Sequence, residues 1–253
     1  MKTLIKHTVV LALLLAAPGL AAAQPITITV KGVSFKMVKV QGGTFTMGAT
    51  PERDSDVYDW EKPAHRVTLS SYYIGETEVT QALWKAVMGT NPSNWQGDNL
   101  PVEQVSWNDC QTFIQKLNQL TGRKFRLPTE AEWEFAARGG NSSRGYKYIG
   151  SNTLGDVAWY KDNSGGTTHD VKTKAPNELG IHDMSGNVEE WCQDWYGDYS
   201  SSAQTNPKGP TSGSGRVQRC GSLVNSAVGC RTAGRGYSAT TYMCYDLGFR
   251  LAL

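Results

Sequence analysis

From Ile26 to Val40 apolar and polar side chains alternate, as in Ile26-Thr27-Ile28-Thr29-Val30, and beyond Gly42-Gly43 the alternation resumes in Thr44-Phe45-Thr46-Met47-Gly48. A period of two puts the apolar side chains on one face, which predicts short strands with a tight turn at the glycine pair. Residues 50–63 are polar and bounded by prolines, so they read as a surface loop before the strand-like His65-Arg66-Val67-Thr68-Leu69.

The period then changes to that of a helix. Thr80 can cap a short helix that runs through Met88 and ends at Gly89. Ser106 with Asp109 makes a capping-box pattern, and Cys110, Phe113, Ile114, Leu117 and Leu120 recur at helical spacing up to Gly122, which turns Cys110 toward the core. In Leu127-Pro128-Thr129-Glu130-Ala131-Glu132-Trp133-Glu134, Thr129 is the expected N-cap and Glu132 reaches back to its amide. Glu130, Glu132 and Glu134 also place negative charge where the helix dipole favours it, so capping accounts for them without an acid/base or metal role. Beyond Gly139-Gly140 helical periodicity stops, and residues 141–253 are rich in Gly, Ser, Asn and aromatics. Helices early and irregular β structure late predict an α+β fold without internal repeats, with residues 200–215 as a surface loop.

Length and charge narrow the possibilities. A chain of 253 residues, 39% hydrophobic, can bury one sizeable core. A net charge of +2 without a Lys/Arg run gives no electrostatic footprint for nucleic acid. Lys2 and Lys6, the apolar run Val9 to Ala17 and Ala21-Ala22-Ala23 read as a secretory signal peptide over residues 1–23, leaving 24–253 as a single exported domain, secreted or periplasmic, with no further segment able to cross a membrane. Its cysteines are Cys110, Cys192, Cys220, Cys230 and Cys244, an odd set for an oxidising compartment. There is no Cys-x-x-Cys, and His65, His169 and His182 stand apart, which argues against structural zinc.

Several motifs occur in order along the chain: Gly43-Thr44-Phe45-Thr46-Met47-Gly48, Glu78-Val79-Thr80, Pro101-Val102 with Val105-Ser106-Trp107, Phe125 through Glu134, Gly186-Asn187-Val188-Glu189-Glu190-Trp191 and Leu247-Gly248-Phe249-Arg250-Leu251. Together they resemble the formylglycine-generating enzyme, or sulfatase-modifying factor, family. The resemblance implies a C-type lectin fold with little regular structure and a ligand surface built by the C-terminal segment, here residues 216–246. Enzymes of that family oxidise a sulfatase cysteine to formylglycine with Cu(I) held by two thiolates, a soft donor set. In this chain the first of those positions is Asn225 and only the second, Cys230, is a cysteine. The resemblance therefore implies a non-catalytic protein, with a Cys192–Cys230 disulfide preferred over a metal role for Cys230; a copper-dependent oxidase using Cys230 is the alternative. It also implies a structural calcium ion held by the carboxylates of Asp183 and Glu190 and the carbonyls of Gly186 and Val188, all hard oxygen donors.

Within the C-terminal segment Gly221, Ser222, Cys230, Arg231, Ala233 and Arg235 keep the family pattern. Leu223, Val224, Ser226, Val228, Gly229, Gly234, Gly236, Tyr237, Thr240, Thr241, Tyr242, Cys244 and Tyr245 look arbitrary. This resembles the variable proteins of diversity-generating retroelements, in which adenine-directed mutagenesis of Asn codons yields such residues; Met243 is not reachable that way and would be encoded by the template. The alternative is drift in a non-catalytic relative. On the binding reading Leu223, Val224, Asn225, Ser226, Tyr237, Tyr242 and Tyr245 contact a protein or carbohydrate ligand, with the tyrosines as exposed, rotamer-poor contacts.

Overall fold

The computed structural model describes residues 25–51 and 56–253. The expected signal peptide lies outside the described residues. Strands β1 (Ile26–Val30), β2 (Val33–Val40), β3 (Gly43–Met47), β4 (His65–Leu69) and β5 (Tyr72–Gly75) precede helices α1 (Gln81–Met88), α2 (Trp107–Thr121), α3 (Glu130–Ala137) and the single turn α4 (Leu154–Val157). Five strands follow: β6 (Glu189–Trp195), β7 (Gln204–Thr205), β8 (Arg216–Arg219), β9 (Arg235–Ser238) and β10 (Leu247–Gly248). The α+β order matches the pattern of the sequence.

The strands form three small sheets, in the orders β1-β2-β5, β3-β4-β7 and β10-β6-β8-β9. The tight hairpin turn is not at Gly42-Gly43. It lies at Lys31-Gly32, with φ of 47° and 85°, the paired left-handed values that suit a two-residue connection between twisted strands. Gly42 instead carries the chain from the first sheet to the second: a Cβ there would lie 2.5 Å from the Leu69 carbonyl, so only glycine permits the crossing.

Each expected helix start is present. Thr80, Ser106 and Thr129 accept hydrogen bonds from Leu83, Asp109 and Glu132 amides, and Gly89 and Gly122 close α1 and α2 in the left-handed conformation. The amphipathic face of α2 buries Cys110, Phe113, Ile114 and Leu117. There Trp84 of α1 stacks on Phe113 at 5.1 Å, and Phe249 meets both rings edge-on. Each such ring removed from water contributes roughly 1.5–3 kcal/mol.

Helix α3 is buried along its whole length, so it has no solvent-facing side. Glu132 does cap Thr129 and also pairs with Arg126. The capping account fails for its neighbours. Glu130 receives a bidentate pair from Arg235 at 2.7 and 2.8 Å and a further bond from Arg219 at 3.0 Å. Glu134 takes Arg219 at 2.7 Å and Arg138 at 2.8 Å. These carboxylates pin α3 to β8 and β9, a role that counts on long-range partners no local motif encodes. Their pKa values stay below the ordinary range against desolvation by burial, through the arginine charges.

Candidate functional site: a surface on the C-terminal segment

Residues 220–246 leave β8, fold as turns, return as β9 and run back beside β6 through β10. The turn after β8 is set by side chains. Asn225 Oδ1 accepts from the Ser222 amide at 2.8 Å, and the Ser222 hydroxyl lies within reach of both Asn225 Oδ1 and Asp246 Oδ2, one proton serving the two acceptors. Asn225 is thus a turn-forming amide in place of a metal-binding thiolate.

Burial divides the segment into two sets. Gly221, Ser222, Cys230, Arg231, Ala233 and Arg235 are all buried. The residues that look arbitrary in the sequence are exposed or half-buried, apart from Leu223 and Gly234. Leu223 is a correction: at 1% exposure its side chain belongs to the core and cannot be a ligand contact. Val224, Tyr237, Tyr242 and Tyr245 are 40–51% exposed, as is the neighbouring Met243 at 52%, while Ser226 is exposed and Asn225 half-buried. Tyr237 rests on Tyr196 with ring centres 4.4 Å apart, and Tyr245 meets Trp95 edge-on. Both rings are therefore held at the surface by packing beneath them.

Inside this face is a small cavity of about 120 Å³, lined by Tyr58, Trp60, Glu189, Cys220, Asn225 and Gly229 among others. Tyr58 and Trp60 stack at 4.5 Å with a 9° interplanar angle and are 44% and 47% exposed. The sequence reading missed them; the signal available was two adjacent large aromatics within an otherwise polar loop. Burial and the nearby Asp246 push the Glu189 carboxyl up to about 8. Larger clefts, of about 300 and 330 Å³, lie beside Asp194 and Pro207 and beside Thr80 and Leu251; Arg235 lines both the first of these and the small cavity.

All five cysteines are free, so the expected Cys192–Cys230 disulfide is absent; Cys192 is instead a core residue whose carbonyl accepts from Trp107. Cys230 is fully buried and burial pushes its thiol up to about 12; Cys220, beside it, is raised as well, with Cys230 as a contributing charge. With the turn-forming Asn225 in the first family position, one of the two thiolates of that Cu(I) site has no counterpart there. Among the residues expected to hold calcium, Glu190 is committed elsewhere: both of its oxygens bind Arg250 at 2.6 Å and one also accepts from Trp133. Asp183 accepts from the Lys172 amide and lies near buried Glu78, whose Oε2 has no hydrogen-bond partner among the described residues. Gly186, at φ 103°, is required by the turn between them, since a Cβ there would stand 2.3 Å from the Trp159 carbonyl. Among the described residues no cluster of three or more His, Cys, Asp or Glu side chains is arranged to hold a metal.

Several known proteins are similar to this chain in sequence or fold. Treponema denticola variable protein 1 has a similar structure, with a TM-score of 0.83 and 38% identity over 90% of this chain and 98% of that one. PvdO from Pseudomonas aeruginosa superposes with a TM-score of 0.76 at 25% identity over 91% of this chain and 99% of that one. The formylglycine-generating enzyme of Mus musculus is 30% identical over 93% of this chain and 78% of its own length. The chaperone protein LppX of Paenibacillus barcinonensis is 34% identical over 73% of this chain and 79% of its own. The profile of the sulfatase-modifying factor enzyme 1-like domain matches residues 28–253. The chain belongs to that family, in its C-type lectin-like α+β fold.

Proposed function

We propose that this chain is an exported, non-catalytic binding protein whose C-terminal segment, residues 216–246, is a diversified surface for a protein or carbohydrate ligand. The observation that carries this reading is the division by burial: every residue that keeps the family pattern is buried, and the arbitrary ones other than Leu223 and Gly234 are exposed or half-buried. Such a division leaves the outward positions free to be replaced without disturbing the core, as a diversified binding face requires. The similarity to a variable protein supports the same reading. The oxidase alternative is disfavoured by the turn-forming Asn225, which stands where the first copper thiolate would be. Sequencing the last hundred or so bases of the gene across a population, with its flanking DNA, tests the proposal. Differences confined to adenines of a neighbouring near-copy are expected at the outward-facing codons; an invariant, unduplicated 3′ end would remove the diversification mechanism.

Calcium remains a proposal of its own, supported by Glu78 Oε2, unpartnered among the described residues, and by Glu78 and Asp183, both buried with pKa values above the ordinary range. Added Ca²⁺ should raise the melting temperature, and Asp183→Asn should abolish the rise. No dependence on Ca²⁺ in the parent protein would remove the ion.

A further inference from the structure

Resting on the proposed function, the chemistry of the 120 Å³ cavity narrows the class of ligand. The cations around it are already matched. Arg231 holds Glu61 through two hydrogen bonds of 2.9 and 2.8 Å, and Arg235 holds Glu130 through two of 2.7 and 2.8 Å. The anions are not. Glu189 lines the cavity half-buried, and among the described residues its carboxylate has neither a hydrogen bond nor an ion pair. Asp246 stands beside it, its backbone carbonyl bonded to the Glu189 amide and one carboxylate oxygen facing the Ser222 hydroxyl. The exposed Tyr58–Trp60 stack also lines the cavity; Arg231 already lies 5.9 Å over the Tyr58 ring, so the face offered to a further cation is that of Trp60.

We propose that this cavity receives a single lysine or arginine side chain presented by a protein partner, the charge meeting Glu189 and Asp246 and the methylenes lying along Tyr58 and Trp60. A space of about 120 Å³ is too small for a drug-sized ligand and suits one unbranched chain. A free amine would leave the surrounding Val224, Tyr237, Tyr242, Met243 and Tyr245 uncovered, and their exposed area asks for a partner with a surface of its own. The basic side chain supplies a counter-charge that favours the ionised form of Glu189, whose carboxyl burial otherwise holds protonated near neutral pH; an acidic or neutral side chain supplies none, which makes the contact selective.

The test uses the mature chain, isotope-labelled, titrated with blocked Gly-Leu-X-Leu-Gly peptides in which X is Lys, Arg, Gln or Glu, and with n-butylamine. Lys and Arg peptides should shift the Trp60 indole resonance and bind about tenfold more tightly than the Gln peptide. Glu189→Gln, checked for an unchanged melting transition, should erase that preference, and Trp60→Ala should weaken Lys-peptide binding several-fold. Equal affinity for Lys and Gln peptides, no shift at Trp60, or a preference that survives Glu189→Gln would each overturn the inference. Butylamine binding as tightly as the Lys peptide would assign the cavity to free amines and overturn the protein partner. A Glu or Gln peptide that shifts Tyr237 and Tyr242 while Lys does not would discard the cation and leave the binding surface intact; the gene sequencing judges that surface separately.

Discussion

Tyr237 and Leu223 look equally arbitrary in the sequence, yet one ring is 51% exposed and the other side chain 1%. Their substitutions should separate accordingly. Tyr237→Ala or Tyr242→Ala should change stability by no more than about 0.5 kcal/mol while weakening a captured ligand by tenfold or more. Leu223→Ala should cost about 2–5 kcal/mol in denaturant unfolding. Similar losses from the tyrosines would place them in the core and end their binding role. Asp194 offers a second contrast. It is 4% exposed, its carboxylate accepts from the Glu130 amide at 2.9 Å, and burial with the Glu130 charge pushes it up to about 7. An unfolded Asp titrates near 3.9, so the folded chain holds this proton more tightly. Folding stability from this group is therefore full below about pH 4 and falls as pH rises through about 7, by up to about 4 kcal/mol for three units. Asp194→Asn keeps an acceptor and removes the loss. Relative to the parent, its melting temperature should climb between pH 5 and pH 8, and a constant offset would contradict the assignment.

At the scale of elements, legibility depended on the distance between partners along the chain. The caps of α1, α2 and α3 could be read because each cap and its amide lie three residues apart. The other carboxylates of α3 could not, because Arg219 lies 85 residues from Glu134 and Arg235 105 residues from Glu130. The same reason displaced the tight turn: alternation marked β2 and β3 correctly, but β2 pairs with β5 and β3 with β4, which no local pattern specifies. Two substitutions rank the local and long-range contributions. Thr129→Ala should cost about 1 kcal/mol for the lost cap. Glu134→Gln strips the charge from a fully buried pair shared by Arg219 and Arg138, and should cost about 3–5 kcal/mol in the same unfolding assay. Equal losses would mean that α3 is held by its cap and packing alone.

The whole molecule has two apolar clusters that meet along β2 and β6, with Met37 and Trp191 in one and Val38 and Cys192 in the other, and then spends its last third on irregular chain whose inner residues are fixed by arginine–glutamate pairs. Family motifs made this frame legible, including the missing thiolate at Asn225. The Tyr58–Trp60 rim escaped notice because the loop carrying it meets the C-terminal segment only in space, where Arg231 pairs with Glu61. The frame explains how a binding face can change without unfolding the protein: the exposed side chains contribute little to the pairs and packing beneath them. The most direct test is thermal unfolding of a variant with Val224, Ser226, Tyr237, Tyr242, Met243 and Tyr245 replaced together by glycine or serine. A surface separable from its scaffold predicts a cooperative transition within about 5 °C of the parent. A melting point lowered by more than about 15 °C, or loss of cooperativity, would show that these residues hold the fold together and would contradict a replaceable ligand surface.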